Sequence, residues 1–299
     1  QLIINNSTFT NNDANSEGGA IYADSANIIQ SRFSSNSSVG EGGAIHADSS
    51  LSIEKSSFYD NEADSRGGAL MIEGGTLSIH TSTFSGNSTS SSGGGAIFSR
   101  AEVTIDNSTF VNNSAAGWGG ALRQTTNDLN LTHSTFYGNT GSEGNAFYSL
   151  GNETLTNTVI SGSIVTNNLS SSYNWYSEGD LGGTGDLDGT ITGQELADIE
   201  LSTMLADNGG YTETLALGSD SILIDVGIGT DNDQRDYAAN ETRDIGAYEY
   251  GAVSAIQISP SILSINYTDG DGDIFITAVG HNLLLRNDNS YFTDVTKSA

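Results

Sequence analysis

The stretch Leu77-Ser-Ile79-His-Thr-Ser82-Thr-Phe84-Ser-Gly-Asn87, followed by Gly94-Gly95-Ala96-Ile97, decides the fold. It opens on an alternating apolar pair, passes through Ser, Phe and Asn at fixed offsets, and ends in a small triplet before an apolar residue. The same grammar recurs along half the chain. Phe9, Phe33, Phe58, Phe84, Phe110 and Phe136 stand 24, 25, 26, 26 and 26 residues apart. Three residues after each Phe comes an Asn: Asn12, Asn36, Asn61, Asn87, Asn113 and Asn139. Two residues before each comes a Ser, from Ser7 to Ser134. The triplet is Gly-Gly-Ala five times, ending at Ala20, Ala44, Ala69, Ala96 and Ala121, and then Gly144-Asn145-Ala146.

A repeat of about 25 residues is one supersecondary unit that cannot bury its apolar face alone. Alternation in Leu51-x-Ile53, Leu77-x-Ile79, Val103-x-Ile105 and Leu129-x-Leu131 sends one face inward and one outward, as in a strand. The sequence therefore predicts an all-β, right-handed parallel β-helix of about eight coils, with strand, bend, strand, turn and Gly-rich strand in each. The Phe residues are expected to stack inside. The Asn residues are expected to form a ladder at a tight turn and to take the left-handed backbone there. The Gly pairs suit close backbone approach or positive φ. A degenerate seventh coil puts Ile160 in the Phe place and Ser163 in the Asn place.

Composition agrees. Of 299 residues, 37 are Gly and one is Pro, which disfavours long helices. Acidic residues outnumber basic ones by 37 to 9, giving a formal charge of −28. Phosphate binding needs clustered Lys and Arg, so nucleic acid is a poor partner, while cations and saline surroundings suit such a surface. With no Cys there are neither disulfides nor thiolate sites. No apolar run reaches the length of a membrane span. No signal peptide is visible, and the start in mid-repeat at Leu2-Ile3-Ile4 suggests a processed chain or a fragment.

The Phe-x-x-Asn and Gly-Gly-Ala pattern resembles the repeat of polymorphic outer-membrane-protein-type β-helices over residues 1–163. Downstream, Leu205-Ala-Asp-Asn-Gly-Gly210, Ile224-Asp225-Val-Gly227, Thr230-Asp-Asn-Asp-Gln-Arg235 and Arg243-Asp244-Ile-Gly-Ala-Tyr-Glu249 are similar to the end of bacterial choice-of-anchor Q proteins. Tyr211 departs from the Pro that often follows Asn-Gly-Gly there. These resemblances imply a secreted or cell-surface bacterial protein. They imply that 164–250 forms irregular last coils and a cap, in which Arg235, Arg243, Asp225, Asp233 and Asp244 pair. Residues 251–299 change in texture and read as the start of a small β-sandwich-like or linker module.

Several groups are candidates for chemistry. Asp186, Asp188 and Glu195 match part of a Ca²⁺ loop, although Thr184 occupies its first ligand position, and Asp269, Asp271 and Asp273 form a second alternating set. The expected cofactor is therefore none, or Ca²⁺. The bases Lys55, Arg32, Arg66, Arg100 and Arg123 fall at different offsets and predict no common face, and His46, His80, His133 and His281 look scattered. Catalysis is accordingly not expected, although paired carboxylates for glycoside hydrolysis are available. Two residues past each triplet Ala stand Tyr22, His46, Met71, Phe98, Arg123 and Tyr148. By alternation this row should face outward and offer a binding surface. Trp118, Tyr173, Trp175 and Tyr176 are a smaller sugar-stacking candidate. Asn-x-Ser/Thr sequons such as Asn36, Asn87 and Asn130 follow from composition, and Thr-x-Thr ladders for ice binding are absent. The expected function is a non-catalytic adhesin or structural stalk meeting a cell-surface glycan or protein. The alternatives are a polysaccharide-binding or polysaccharide-degrading β-helix, and a self-associating filament subunit.

Overall fold

A computed structural model of the chain describes residues 1–178, 181–188, 199–239 and 242–252, with only the backbone for Asp188 and for the strands Ala255–Ile256, Asp273–Val279 and Asn282–Asp288. It is a parallel β-solenoid of about six full turns with no helix among the described residues. Each full coil contributes four strands. An eight-stranded long sheet runs from Leu2–Asn5 to Leu169–Ser172 through Leu77–Ser78-type alternating strands such as Thr76–His80. A nine-stranded Phe sheet includes Thr8–Thr10 and Thr83–Ser85. A short sheet of two-residue strands, Asp13–Ala14 to Ser114–Ala115, was not expected from the sequence. A seven-stranded Gly sheet follows the triplets, from Ile21–Ala23 to Ile164–Val165.

The register is that of the repeat: Phe33, Phe58 and Phe84 are paired partners, as are Leu51, Leu77 and Val103. The six Phe rings stack at 4.7–4.9 Å with interplanar angles of 2–3°. That spacing is the hydrogen-bonding distance between neighbouring strands, so stack and ladder share one repeat. All but Phe9 are fully buried, each contributing about 1.5–3 kcal/mol by transfer.

Two corner ladders turn the coil. Asn87 Nδ2 donates to Asn113 Oδ1 at 2.9 Å and to Phe58 O at 3.0 Å, and the Asn87 backbone N–H donates to the same Asn113 oxygen. The pattern repeats from Asn12 to Asn139. The Ser residues do similar work at the other corner: Ser56 N donates to Ser82 Oγ, which donates to His80 O. The left-handed residue is not the ladder Asn. It is the residue before it: Asn11, Ser35, Asp60, Gly86, Asn112 and Gly138, with φ between 52° and 68°. The ladder Asn thus acts through its side chain, and its neighbour takes the backbone strain.

The two glycines of each triplet have separate tasks. Gly42 has φ +67°, whereas a Cβ on Gly43 would lie 2.1 Å from the carbonyl oxygen of Gly68 in the next coil. Asn145 replaces the second Gly where the seventh coil is cut short. Ala146 N donates to Ser163 O, so Ser163 takes the place of the triplet Ala rather than of the ladder Asn. From Ile160 the chain passes directly to Ile164–Val165, omitting the Asn turn.

Residues 199–239 and 242–252 form a lateral clasp along the flank, not a lid confined to the last rung. They run back over the outer face of the Phe sheet. Asn157 donates to Ile228 O, Arg243 to Asn107 Oδ1, Gln234 to Ser82 O, and Tyr59 to Glu213. A second apolar core, including Val111, Val159, Trp175, Leu215, Leu223 and Ile245, lies beneath. Beyond it the pairing changes character: Ala255–Ile256 and Asp273–Val279 each pair antiparallel with Asn282–Asp288.

Candidate functional site

The outer face of the Gly sheet is a shallow trough. Its floor is the predicted row, in register: Tyr22, His46, Met71, Phe98, Arg123 and Tyr148 are successive paired partners. One wall is the column Glu17, Glu41, Arg66, Gly93, Trp118 and Glu143, joined by single bridges and backbone hydrogen bonds. The other wall, one residue past each strand, is Asp24, Asp48, Glu73, Arg100, Thr125 and Leu150.

The expectation of uniform exposure fails for half the row. Tyr22 is 56% exposed, Arg123 and Tyr148 are half-buried, but His46, Met71 and Phe98 are buried. Alternation does point these side chains away from the coil interior, but the long side chains of the two walls close over them. Phe98 has the guanidinium carbons of Arg66, Arg100 and Arg123 at 5.1, 5.7 and 5.1 Å from its ring centroid. Three of the five bases, Arg66, Arg100 and Arg123, do share a face, because wall and floor are different offsets of one surface, whereas Arg32 lies over Tyr59 and Lys55 pairs with Asp236 elsewhere.

The two halves of the trough differ in charge. Coils one to three supply Glu17, Asp24, Glu41, Asp48 and Glu73. Coils three to six supply Arg66, Arg100 and Arg123, with Trp118 and Tyr148 and one further acid, Glu143. Where they meet, Arg66 pairs with Glu41 at 2.8 Å and Arg100 pairs with Glu73. Arg123 has no carboxylate partner among the described residues. Its Nη1 donates to Ser92 O, and its guanidinium lies 4.5 Å from the Trp118 ring. Burial first, and the Arg66 charge next, pull its pKa down. Trp118 is 40% exposed and stacks on Tyr148 at 5.2 Å. The other expected aromatics lie elsewhere: Trp175 and Tyr176 share one strand of the Phe sheet, Trp175 buried in the clasp core and Tyr176 packed against the coil interior.

A second site lies where the clasp meets the Ser corner, an open cleft of about 750 Å³ lined by His80, Asp106, His133, Asp231, Asp233 and Asp236, among others. Two of the four histidines, His80 and His133, converge here, while His46 lies in the trough and His281 is outside the described residues. His80 Nδ1 is 2.9 Å from Asp106 Oδ2, and His133 Nδ1 is 3.1 Å from Asp106 Oδ1. Burial alone would raise the Asp106 carboxyl, but hydrogen bonds from His133, His80 and Thr132 hold it well below the usual range. The same hydrogen bond raises His80. Stacking explains the convergence: His80, Asp106 and Thr132 are paired neighbours in successive coils.

Of the expected calcium ligands, only the Asp186 side chain is described. Its oxygens accept four hydrogen bonds, from Asn174 N and Nδ2, Gly183 N and Ser171 Oγ. It ends a corner ladder that passes through Thr158 and Asn174. Glu195, Asp269 and Asp271 lie outside the described residues, and of Asp188 and Asp273 only the backbone is described. In the clasp, Arg235 pairs with Asp233, but Arg243 pairs with Glu249 at 3.4 Å, while Asp244 accepts the backbone N–H of Asp225.

Residues 6–24, 30–48, 81–100 and 107–123 match the family model described as the Chlamydia polymorphic membrane protein repeat. These matches fall on four coils of the parallel β-solenoid, which are similar to that repeat. No curated protein and no solved structure matches it.

Proposed function

We propose that this β-helix is a non-catalytic module displayed on a bacterial surface, an adhesin that binds an anionic saccharide along the basic half of the trough. The repeat type supports the surface placement, since the proteins that lend it their name are membrane proteins. The convergence of Arg66, Arg100 and Arg123 on Phe98 carries the ligand class. Three of nine basic residues meet on one ring of a chain with net charge −28. Arg66 and Arg100 are already paired with Glu41 and Glu73, while Arg123 has no carboxylate partner among the described residues, so its guanidinium is the charge that a saccharide carboxylate or sulfate would pair. Trp118 and Tyr148 add a stacked aromatic face beside Arg123 against which a sugar ring packs. On an array of uronic-acid, sulfated and neutral glycans, the protein should retain the anionic ones. Arg123→Ala and Trp118→Ala should each weaken binding about tenfold or more. Equal retention of neutral glycans, or no retention at all, sinks this reading.

The cleft at His80, Asp106 and His133 favours a second reading, cleavage of a polysaccharide. Asp231, Asp233 and Asp236 surround the imidazoles and would repel an acidic chain, so a neutral polymer is the substrate class that fits. Release of reducing ends from neutral polysaccharides, abolished by Asp106→Asn, would establish it. Absence of turnover across such a panel rejects it.

A further inference from the structure

The acidic half of the trough holds a buried imidazole with one ring nitrogen unpaired. His46 is 3% exposed, and its Nδ1 has no hydrogen-bond partner. A buried polar atom without a partner is costly, and nearly all such atoms in folded proteins have one. The nitrogen faces Glu17, whose Oε2 lies 4.0 Å away, too far for a hydrogen bond. Glu41 completes the group: one ligand atom from each of the three lies within 4.8 Å of the others.

We propose that His46 Nδ1, Glu17 and Glu41 bind a divalent transition-metal ion of the zinc type. The proposal does not depend on the saccharide reading of the basic half. Metal–ligand bonds of about 2.0–2.2 Å place two ligands of one ion about 3–4 Å apart. The Glu17 side chain is 39% exposed and free to close the remaining fraction of an ångström. The far side of the ring is already arranged as metal-bound imidazoles usually are. His46 Nε2 lies 3.5 Å from Asp48 Oδ1, which favours the proton on Nε2 and leaves the Nδ1 lone pair for a ligand bond. Asp48 is itself held by the Tyr22 hydroxyl at 2.9 and 3.0 Å, and the Tyr22 ring stacks on His46 at 5.0 Å. Arg66 fixes one oxygen of Glu41 and leaves the other for the ion.

The donor set chooses the class of metal. Imidazole suits zinc, copper, nickel and iron, whereas Ca²⁺ takes six to eight oxygens and Mg²⁺ takes an octahedron of them. Three protein ligands leave one or more positions for water or for a partner's donor.

An acidic protein gathers cations without a site, so the test must separate the two. The chelator-stripped full chain is titrated with Zn²⁺ by calorimetry in an excess of Ca²⁺ and Mg²⁺, and with Co²⁺ by visible absorption. The expected result is one saturable ion per chain that the alkaline-earth ions do not displace, with Co²⁺ bands of a nitrogen–oxygen site. His46→Ala and Glu17→Gln should each lower the affinity about tenfold or more. Glu17→Gln changes a part-exposed residue, so it tests the site if His46→Ala fails to fold. Glu102→Gln removes the same charge at an exposed position outside the trough and should change nothing. Weak multiple binding displaced by Ca²⁺, or equal loss in Glu17→Gln and Glu102→Gln, overturns the proposal.

Discussion

At the scale of the residue, the Asn ladder is the sharpest commitment. Asn87 satisfies the Phe58 carbonyl, receives two N–H groups from Asn61, and donates twice to Asn113. Asn87→Ala leaves several of these buried groups unpaired at once. It should cost about 3–5 kcal/mol, read as a lower midpoint in denaturant unfolding. Asn112, by contrast, has φ 55° and only its backbone is demanded, so Asn112→Gly should be neutral or slightly stabilising in the same assay. The repeat made the ladder legible because the amide has to recur wherever the hydrogen bond recurs. The left-handed residue was not legible. Asn11, Ser35, Asp60 and Gly86 share a backbone angle but no side-chain chemistry, so no single letter marks the position. The Gly pair falls between. A sequence asks for two glycines there, and only the register shows that one is needed for φ and the other for a carbonyl 2.1 Å from its absent Cβ. Gly43→Ala therefore pushes on backbone with no side chain to yield, and should lower the yield of folded protein more than any surface substitution.

Among elements, the clasp is the one whose placement no repeat encodes. Arg and Asp residues in 225–249 suggested buried pairs, but not that this segment would lie along the flank. Its anchors, Gln234 on Ser82 and Asn157 on Ile228, join residues 152 and 71 apart that share no repeat. The clasp carries a balance that shifts as pH rises. Burial and the Asp244 charge push Glu249 up to about 8, and burial pushes Asp244 up to about 6. Groups whose pKa is raised on folding favour the fold most below their unfolded values. That contribution is lost as pH rises through about 6 and then about 8. Asp106, held low, acts in the opposite sense and withdraws its contribution as pH falls below the ordinary carboxylate range. The clasp should therefore be tightest in mildly acidic solution. Hydrogen exchange at the Asp244 amide, which donates to Glu249 at 2.8 Å, provides the readout. Corrected for intrinsic rate, its protection should fall about tenfold or more between pH 5 and pH 9. Glu249→Gln removes the most strongly shifted group and should flatten most of that change. Protection that is flat in the parent chain, or unchanged in slope in Glu249→Gln, contradicts the assignment.

For the whole molecule, the decisive quantity is the distribution of 37 acids and 9 bases over a rod. The stacking that builds the core also stacks the outward positions, so charges far apart in sequence become neighbours one strand spacing away. This is why the trough's acidic and basic halves could not be seen in the sequence. Arg66, Arg100 and Arg123 sit at three different offsets, and only wall, wall and floor of one groove make them adjacent. It also sets how the rod responds to salt. The surface ion pairs, such as Arg66 with Glu41, are part-exposed and worth about 0–1 kcal/mol each, so salt removes little by weakening them. The surplus of 28 negative charges repels itself at every neighbouring coil, and raising salt from about 0.01 M to 0.15 M shortens the screening length from about 30 Å to 8 Å. The lost repulsion exceeds the lost attraction. The melting temperature should accordingly rise by several degrees on adding NaCl over that range. Binding of an anionic saccharide to the basic half should weaken over the same range, because there the attraction is what salt screens. A melting temperature that falls with salt would mean that the pairs between coils, rather than the apolar stack beneath them, hold the solenoid together.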